Sequence, residues 1–511
     1  MLPGRLQGGY VGAVSHSESK DETRSDGQAL FSAISLDGSF NPFGADLSDL
    51  ITIGTDRFTA RSVFNLAQLS FTGPVAKLPA GDLQAVIEGR LAGNRLRSRS
   101  SISVLTGNSE FHRSEQSIRA AVEVPLTSRD NGFLPQVGDL SATAEYSCFH
   151  YSDAGTLNQH ALGLTWEPLP LLRLRGEIEV TGRPPSIQTL GNPVIVTSDV
   201  RMFDPLRSET ADVVLITGGN PSLRPEKTEI HRLSGLLRLV PRLNLQLNAE
   251  YTDTDQRHFV SSLPEASAAV TLAFPDRFIR DAFGVLTTVD LRPVNFDSHR
   301  EKRLRYGFSL NAAIAGGNRS AVRVSDSSAA EPGEEGADRE PPPTARASRS
   351  GPPTRLQLSA SHTIVFSDEI LVRPGLGSVD LLEGGAIGIG GGRVRHQLEG
   401  TAALTSGGMG ARIGVTWRGK STLQSRISGV TAETLHFSPV LAVNFRAFTD
   451  ARRLLPHSAW ASGTRLSLNI LNATNDRQQV RDSAGNTPLQ YQPGYRDPIG
   501  RTIELELRKV F

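Results

Sequence analysis

The chain is poor in cysteine, lacks long apolar runs and carries no excess of charge of either sign. One cysteine in 511 residues, Cys148, excludes an intrachain disulfide framework and a multi-cysteine zinc site. The eleven histidines never recur as H-x-x-x-H, and neither a metal nor a cofactor is expected. No stretch approaches the roughly 20 consecutive apolar residues of a membrane-crossing helix. That excludes a helical membrane bundle but leaves a β-barrel open, because barrel strands are apolar only at alternate positions. With 54 Lys+Arg against 53 Asp+Glu the formal charge is +1, so no nucleic-acid partner is indicated. The first ten residues, Met1 to Tyr10, contain no charged segment, apolar core or cleavage site of a secretory signal.

What the chain does have is glycine (49), proline (30) and alternation with period two. Leu243, Leu245, Leu247, Ala249 and Tyr251 alternate with Asn244, Gln246, Asn248 and Glu250. Leu172, Leu174, Ile178 and Val180 alternate with Arg173, Arg175, Glu177 and Glu179, and Ile503, Leu505 and Leu507 with Glu504, Glu506 and Arg508. Such alternation places one face of a strand in an apolar medium and the other in water. No segment shows comparable helical periodicity with caps, so the expected class is all-β. About sixteen strands are expected, starting near Gly8, Arg61, Asp82, Ser114, Asp139, Gln159, Leu172, Glu229, Leu243, Leu286, Thr354, Arg395, Ala411, His436, Thr464 and Arg501.

Connections separate a soluble sandwich from a membrane barrel. Short turns, such as Val240-Pro241-Arg242 and Ser406-Gly407-Gly408, alternate with long polar loops from Pro185 to Lys227 and from His258 to Gly284. Short turns at one end and long loops at the other are the asymmetry of an antiparallel transmembrane β-barrel. Residues 315–353, with Glu331-Pro332-Gly333-Glu334-Glu335-Gly336 and Glu340-Pro341-Pro342-Pro343, are expected to be a disordered insertion in a turn at the short-turn, periplasmic end.

Several segments resemble the barrel domain of TonB-dependent outer-membrane receptors. Thr464 to Asn472, with Asn469 and Asn472, is similar to the family's "NLFN" element, and Tyr495 to Arg501, with Asp497, Pro498, Gly500 and Arg501, to its "DP-x-GR" tip. The chain ends, as family barrels do, on an aromatic residue, Phe511. Gly182-Arg183-Pro184-Pro185-Ser186 resembles the "FRAPS" segment, departing from it at Gly182 and Pro184. Gly219-Asn220-Pro221-Ser222-Leu223-Arg224-Pro225-Glu226-Lys227 resembles the "GNPNLKPE" loop.

The resemblance implies an outer-membrane receptor for a scarce ligand of the siderophore, cobalamin or glycan class, and no enzyme. It implies a 22-stranded barrel of which residues 1–511 supply about sixteen strands, without the plug and its coupling box. Outer-membrane lipid is the implied environment. Barrel-assembly machinery would engage the C-terminal strand, and an inner-membrane energy-coupling protein would act only through an upstream plug. A passive porin-like channel and a non-functional truncated receptor are the alternatives. A strand array short of the family's number is expected either to re-close or to remain an open curled sheet.

Other motifs have plainer readings. Gly414 to Ser421 matches the P-loop pattern G-x-x-x-x-G-K-S, but Ala411, Ile413, Val415 and Trp417 alternate through it as a strand. Ser147, His150 and Asp153 cannot converge as a catalytic triad, since His150 takes the opposite strand face. Gly388 to Arg393 is expected to be a glycine-rich loop, and Cys148 a packed or lipid-facing residue. Arg183, Arg224, Asp497 and Arg501 are expected to tie loops together at the rim.

Overall fold

A computed structural model describes residues 4–24, 53–102, 105–204, 206–207, 209–240, 243–263, 268–315, 354–375, 377–385, 392–425, 433–488, 491–492, 497 and 499–510. The chain begins with seven consecutive strands: β1 (Arg5–Arg24), β2 (Ile53–Leu78), β3 (Gly81–Ile102), β4 (Leu105–Thr127), β5 (Asp139–Tyr151), β6 (Gly155–Leu169) and β7 (Leu172–Arg183). It then leaves the sheet through a short helix, α1 (Ile187–Gly191), and strands β8 (Ile195–Asp204) and β9 (Glu209–Thr217). It returns as β10 (Glu226–Val240) and β11 (Leu245–Ser261), and departs again through α2 (Ala268–Ala273), β12 (Phe278–Arg280) and β13 (Leu286–Asp290). β14 (Val294–Ala315) and β15 (Thr354–Leu371) follow, with the two-residue β16 (Val379–Asp380) paired to β15. β17 (His396–Ser406) and β18 (Met409–Arg418) lead into a hairpin of β19 (Ser421–Ser425) and β20 (Glu433–Phe437). The last elements are β21 (Val440–Asp450), α3 (Ala451–Leu454), β22 (Thr464–Leu471), β23 (Val480–Arg481) and β24 (Thr502–Lys509).

Sixteen of these strands form one antiparallel sheet in which each pairs with the next one along the chain that stays in the sheet. Strands β8, β9, β12 and β13 make a separate four-stranded sheet, and β19, β20 and β23 a three-stranded one. Among the described residues β1 pairs with β2 alone and β24 with β22 alone.

Alternation is carried faithfully across the ladders. Ala144, Leu162, Ile178 and His231 lie in register on one face, and Glu145, Ala161, Glu179 and Ile230 on the other. Farther along, Leu247, Phe308, Ala360, Gly400, Val415 and Val443 continue the first face. These apolar side chains point away from any protein core: Leu162 is 58% exposed and Leu505 71%. A sheet with its aliphatic residues outward and its Arg and Glu residues inward suits a lipid exterior and a wet lumen.

The two main buried apolar clusters lie at the end of the sixteen-stranded wall, not along its length. Val213, Phe274, Phe278, Leu286, Val289 and Phe296 are the centre of one, where β8, β9, α2, β12 and β13 pack over the ends of β14 and β15. Leu423, Leu435, Phe437, Val480 and Tyr491 form a second. Both sit at the long-loop end. At the other end three connections are two-residue turns, Pro79-Ala80, Pro170-Leu171 and Gly407-Gly408, while 128–138 and 451–463 are longer. Gly407 (φ 48°) and Gly408 (φ 87°) supply the two left-handed residues of a primed hairpin turn.

Two expected strand starts are corrected. Leu286 opens β13 of the loop sheet, and the wall strand begins at Val294. His436 belongs to β20, and the wall strand begins at Val440. Period two reports one dry face, and a loop hairpin covering its own core produces the same signal as a strand facing lipid. The segments read as long polar loops are also more ordered than expected, holding three helices or hairpins between them. The insertion expected at 315–353 lies, apart from Ala315, outside the described residues, as do Pro241, Arg242 and residues 386–391.

The two faces should respond differently to one substitution. Leu162→Arg, facing outward, is expected to lower stability in bilayers by about 2–4 kcal/mol. Ala161→Arg, facing the lumen between Glu145 and Glu179, should change it little. Urea unfolding of the two variants in phosphatidylcholine vesicles checks this difference.

Candidate functional site

The lumen face of the wall is lined by paired charges. Arg119 grips Glu145 with two parallel hydrogen bonds of 2.7 Å, from Nε and Nη2. Arg232 reaches Glu177 at 3.1 Å, Arg305 reaches Glu399 at 3.3 Å, and Arg90 lies 3.4 Å from Glu115. Each pair joins nearby strands, so the inner surface is polar without a strong net sign.

Above it, buried ion pairs fasten the long loops. Asp204, at the end of β8 and wholly buried, accepts two bonds from Arg280 at 2.5 and 2.7 Å. Asp290 accepts from Arg277 at 2.5 Å and from Arg292 at 2.7 and 2.9 Å. Asp368 is shared between His299 Nε2 (2.7 Å) and Arg393 (3.0 Å). The Arg280 guanidinium holds the Asp204 carboxyl below the usual carboxylate range, against the opposing effect of burial. For Asp290 burial is the largest influence and pushes upward, but the bonds from Arg292 and the charge of Arg277 outweigh it and the net shift is down.

The residues singled out in the sequence fall into two separate groups on this end. In the first, Arg183 ends β7 opposite Glu226, and its exposed side chain makes no polar contact with a described residue. Pro184 follows it, half-buried, and Pro185 offers its carbonyl to Arg113 at 2.9 Å. Asn220, 4% exposed, donates to the Pro293 carbonyl at 2.7 Å and accepts from Ser222. Pro221 is exposed and Pro225 half-buried; between them the Arg224 amide donates to Asn295 at 2.8 Å. Glu226 accepts the Val260 amide. This segment is thus pegged to the ends of β11 and β14.

The second group closes the wall. Asn469 donates to Glu504 at 3.4 Å from its place opposite it. Asn472, in the left-handed conformation (φ 49°), takes the Asn444 side chain as acceptor at 2.9 Å and donates to the Asp476 carbonyl. Asp497 accepts the Gly500 amide at 2.9 Å, and Arg501 bonds Asn475 and the Ala473 carbonyl. Pro498 and Phe511 lie outside the described residues.

Sequence reading missed the acidic anchors. Asp204 and Arg280 are 76 residues apart, His299 and Asp368 69 apart, and no spacing marks them. The available hint was weak: isolated Asp and Arg beside apolar residues inside long loops. Arg113 was missed too; it pairs with Asp153 at 2.6 Å and lies over the Tyr151 ring. Ser147 is buried on the lumen face, while His150 meets Thr156 on the outer face. Residues 414–418 remain in β18, so they form no phosphate-binding loop, and Cys148 is a half-buried residue of the outer face. Among the described residues no cluster of His, Cys, Asp or Glu could hold a metal.

Breaking one anchor is expected to loosen the loops without unfolding the wall. Asp204→Asn leaves Arg280 without its counter-charge, a loss of about 3–5 kcal/mol for a buried pair. Faster proteolysis within residues 184–225 or 262–293 at unchanged wall stability would register it. Because the Asp204 and Asp290 carboxyls titrate below their unfolded values, the contribution of these two anchors is complete above those values and disappears as pH falls through the folded ones. Proteolysis should therefore be equal at pH 7 and pH 6, and should accelerate only below about pH 4.

No family model and no curated protein sequence matches the chain. Solved structures do. The siderophore receptor PirA from Acinetobacter baumannii superposes with a TM-score of 0.51 at 9% identity, covering 89% of this chain and 60% of the receptor. The ferric enterobactin receptor of Pseudomonas aeruginosa, in complex with enterobactin, gives 0.50 at 14% identity, with 89% and 60% covered. The pyoverdine-bound FpvA of P. aeruginosa gives 0.50 at 10%, covering 99% of this chain and 53% of FpvA. The chain spans about three fifths of the length of the first two receptors. Its sixteen-stranded array has the fold of the barrel of a TonB-dependent siderophore receptor.

Proposed function

We propose that the chain is the strand wall and ligand-facing loop assembly of an outer-membrane receptor that takes up a scarce small molecule. The observation that carries this reading is the asymmetry of order. Three connections at one end are two-residue turns, while at the other the connections β7–β10 and β11–β14 are long and are stiffened by their own apolar core and by buried Asp–Arg anchors. A passive pore has no need of long connections folded so firmly; a rim that must hold a ligand does, since preorganised groups lose less entropy on binding. The similar receptors bind enterobactin and pyoverdines, which favours the siderophore class over cobalamin or glycans.

On this reading the whole of residues 1–511 is one barrel unit in the outer membrane, with residues 315–353 inserted on its periplasmic side. Assembly machinery engages β24, and energy coupling requires a plug supplied from beyond these residues. The role is transport and not catalysis. The charge-balanced lumen face favours a second reading, passive conduction of small hydrated solutes.

Both readings are testable on the full chain refolded in neutral detergent. Quenching of the three tryptophans by a ferric catecholate siderophore, cobalamin and an oligosaccharide should show saturable binding of the first at micromolar or lower concentration. Binding of none of the three removes the receptor reading. Steady ion conductance in planar bilayers, without ligand, would favour the pore.

A further inference from the structure

The outward face of β10, β11, β14 and β15 carries two contrasts that fall on one seam. On β14 the outward positions Leu304, Tyr306, Phe308, Leu310 and Ala312 form an apolar band. Its length matches the roughly nine to eleven residues that a tilted strand needs to cross a bilayer. Immediately beyond it, on the long-loop side, two registers are charged, and their sign changes between β11 and β14. Asp253 and Asp255 stand on β11, with Lys302 and Arg300 opposite them on β14. Within one copy Lys302 lies 3.2 Å from Asp253 and Arg300 3.5 Å from Asp255, and all four side chains stay partly exposed. Glu229 and Glu369 lie one strand farther out on either side of the seam.

Size changes across the same seam. In one register of the apolar band, Gly235 and Ala249 lie on the β10–β11 side, and Tyr306 and His362 on the β14–β15 side. A cleft of about 750 Å³ is sunk into the face here, beside Leu247 and Phe308. The backbone does not require glycine at this point of β10. Gly235 has no positive φ, and a Cβ on it would meet only Leu174, at 3.5 Å, an ordinary contact. The missing side chain therefore leaves room outside the wall and not within it. His362 sits inside the apolar band, bonded to the Tyr306 hydroxyl at 2.9 Å and to His396 at 3.2 Å. Ionisable groups at such depth are expensive and almost always face protein or water, not lipid chains.

We propose that two copies of this chain associate in the membrane through this face, about a two-fold axis along the membrane normal that passes through the β11–β14 seam. Such an axis lays the β10–β11 side of each copy on the β14–β15 side of the other. Acids then meet cations, and Tyr306 and His362 of one copy enter the space over Ala249 and Gly235 of the other. A partner of single charge, or a uniform lipid surface, matches only one side of the seam; a second copy matches both. In lipid, apolar surface alone drives no association, so small residues that admit close approach and polar groups that bond across the contact supply the affinity. The inference rests on the membrane-barrel reading, which insertion of the chain into phosphatidylcholine vesicles checks independently.

The test is energy transfer between copies of the full chain, labelled at the amino terminus with donor or acceptor dye and reconstituted in phosphatidylcholine vesicles over a range of lipid-to-protein ratios. Saturable association of two copies is expected, weakening as salt is raised. Gly235→Leu, whose side chain fills the cleft, should weaken it about tenfold. Asp253→Lys with Asp255→Lys makes both sides of the seam basic, and Arg300→Glu with Lys302→Glu makes both acidic. Each double variant alone should associate about tenfold or more weakly. Mixed together, the two double variants should associate again, a recovery that misfolding cannot produce. A wild-type chain that stays monomeric, unchanged association of the Gly235 variant, or no recovery in the mixture each overturns the proposal. Energy transfer that grows past two copies overturns the closed two-fold contact, and phospholipid retained by a monomer in native mass spectrometry overturns it by giving the cleft to lipid. If the chain fails to enter vesicles at all, the membrane-barrel reading fails, and this inference with it.

Discussion

The structure depends on the pairing of backbone amides in strands that have a dry face and a wet one. In hydrocarbon an unpaired N–H or C=O costs several kcal/mol, so each strand must find neighbours on both sides before its side chains can matter. From β2 to β22 that requirement is met by strands adjacent in the chain, linked by turns as short as Gly407-Gly408. β1 and β24 each have one pairing among the described residues. The ladder sets the register, and the register decides that Leu162 faces outward while Arg119 and Glu145 face the lumen.

A wall of this kind has no core of its own. Its apolar side chains point away from the protein, and its inner surface is a lattice of ion pairs. Compact packing is confined to the long-loop end, where Phe274, Phe296 and Val289 are sealed from solvent and Asp204, Asp290 and Asp368 are each held by arginine. The anchors and the clusters act together: apolar cover makes the buried carboxylates intolerant of losing a partner, and the ion pairs set the positions of the hairpins that provide the cover. The result is a stiff rim on a wall whose own rigidity comes from its hydrogen-bond ladder.

Much of this was legible in the residues, unevenly. Asp139, Leu172, Thr354 and Thr464 are read as strand starts and are strand starts. Leu286 and His436 look no different locally, yet both belong to loop sheets, because alternation does not say what supplies the dry face. The segments around Asn220 and Asn472 stand out by their turn-forming residues, and their side chains do bond neighbouring backbone. Arg113, Arg280 and Asp368 do not stand out, since Asp153, Asp204 and His299, to which they bond, lie 40, 76 and 69 residues away.

The sequence by itself determined the class of structure: period two, the absence of apolar runs of helical length and the alternation of tight turns with long loops leave an antiparallel wall with one lipid-compatible face. These are local properties, carried by neighbours two residues apart. Only the tertiary structure decided which strands join the wall, which fold over it and which acids meet which arginines. Each of those outcomes turns on contacts between positions tens of residues apart, and only the pairing of whole strands brings such positions together.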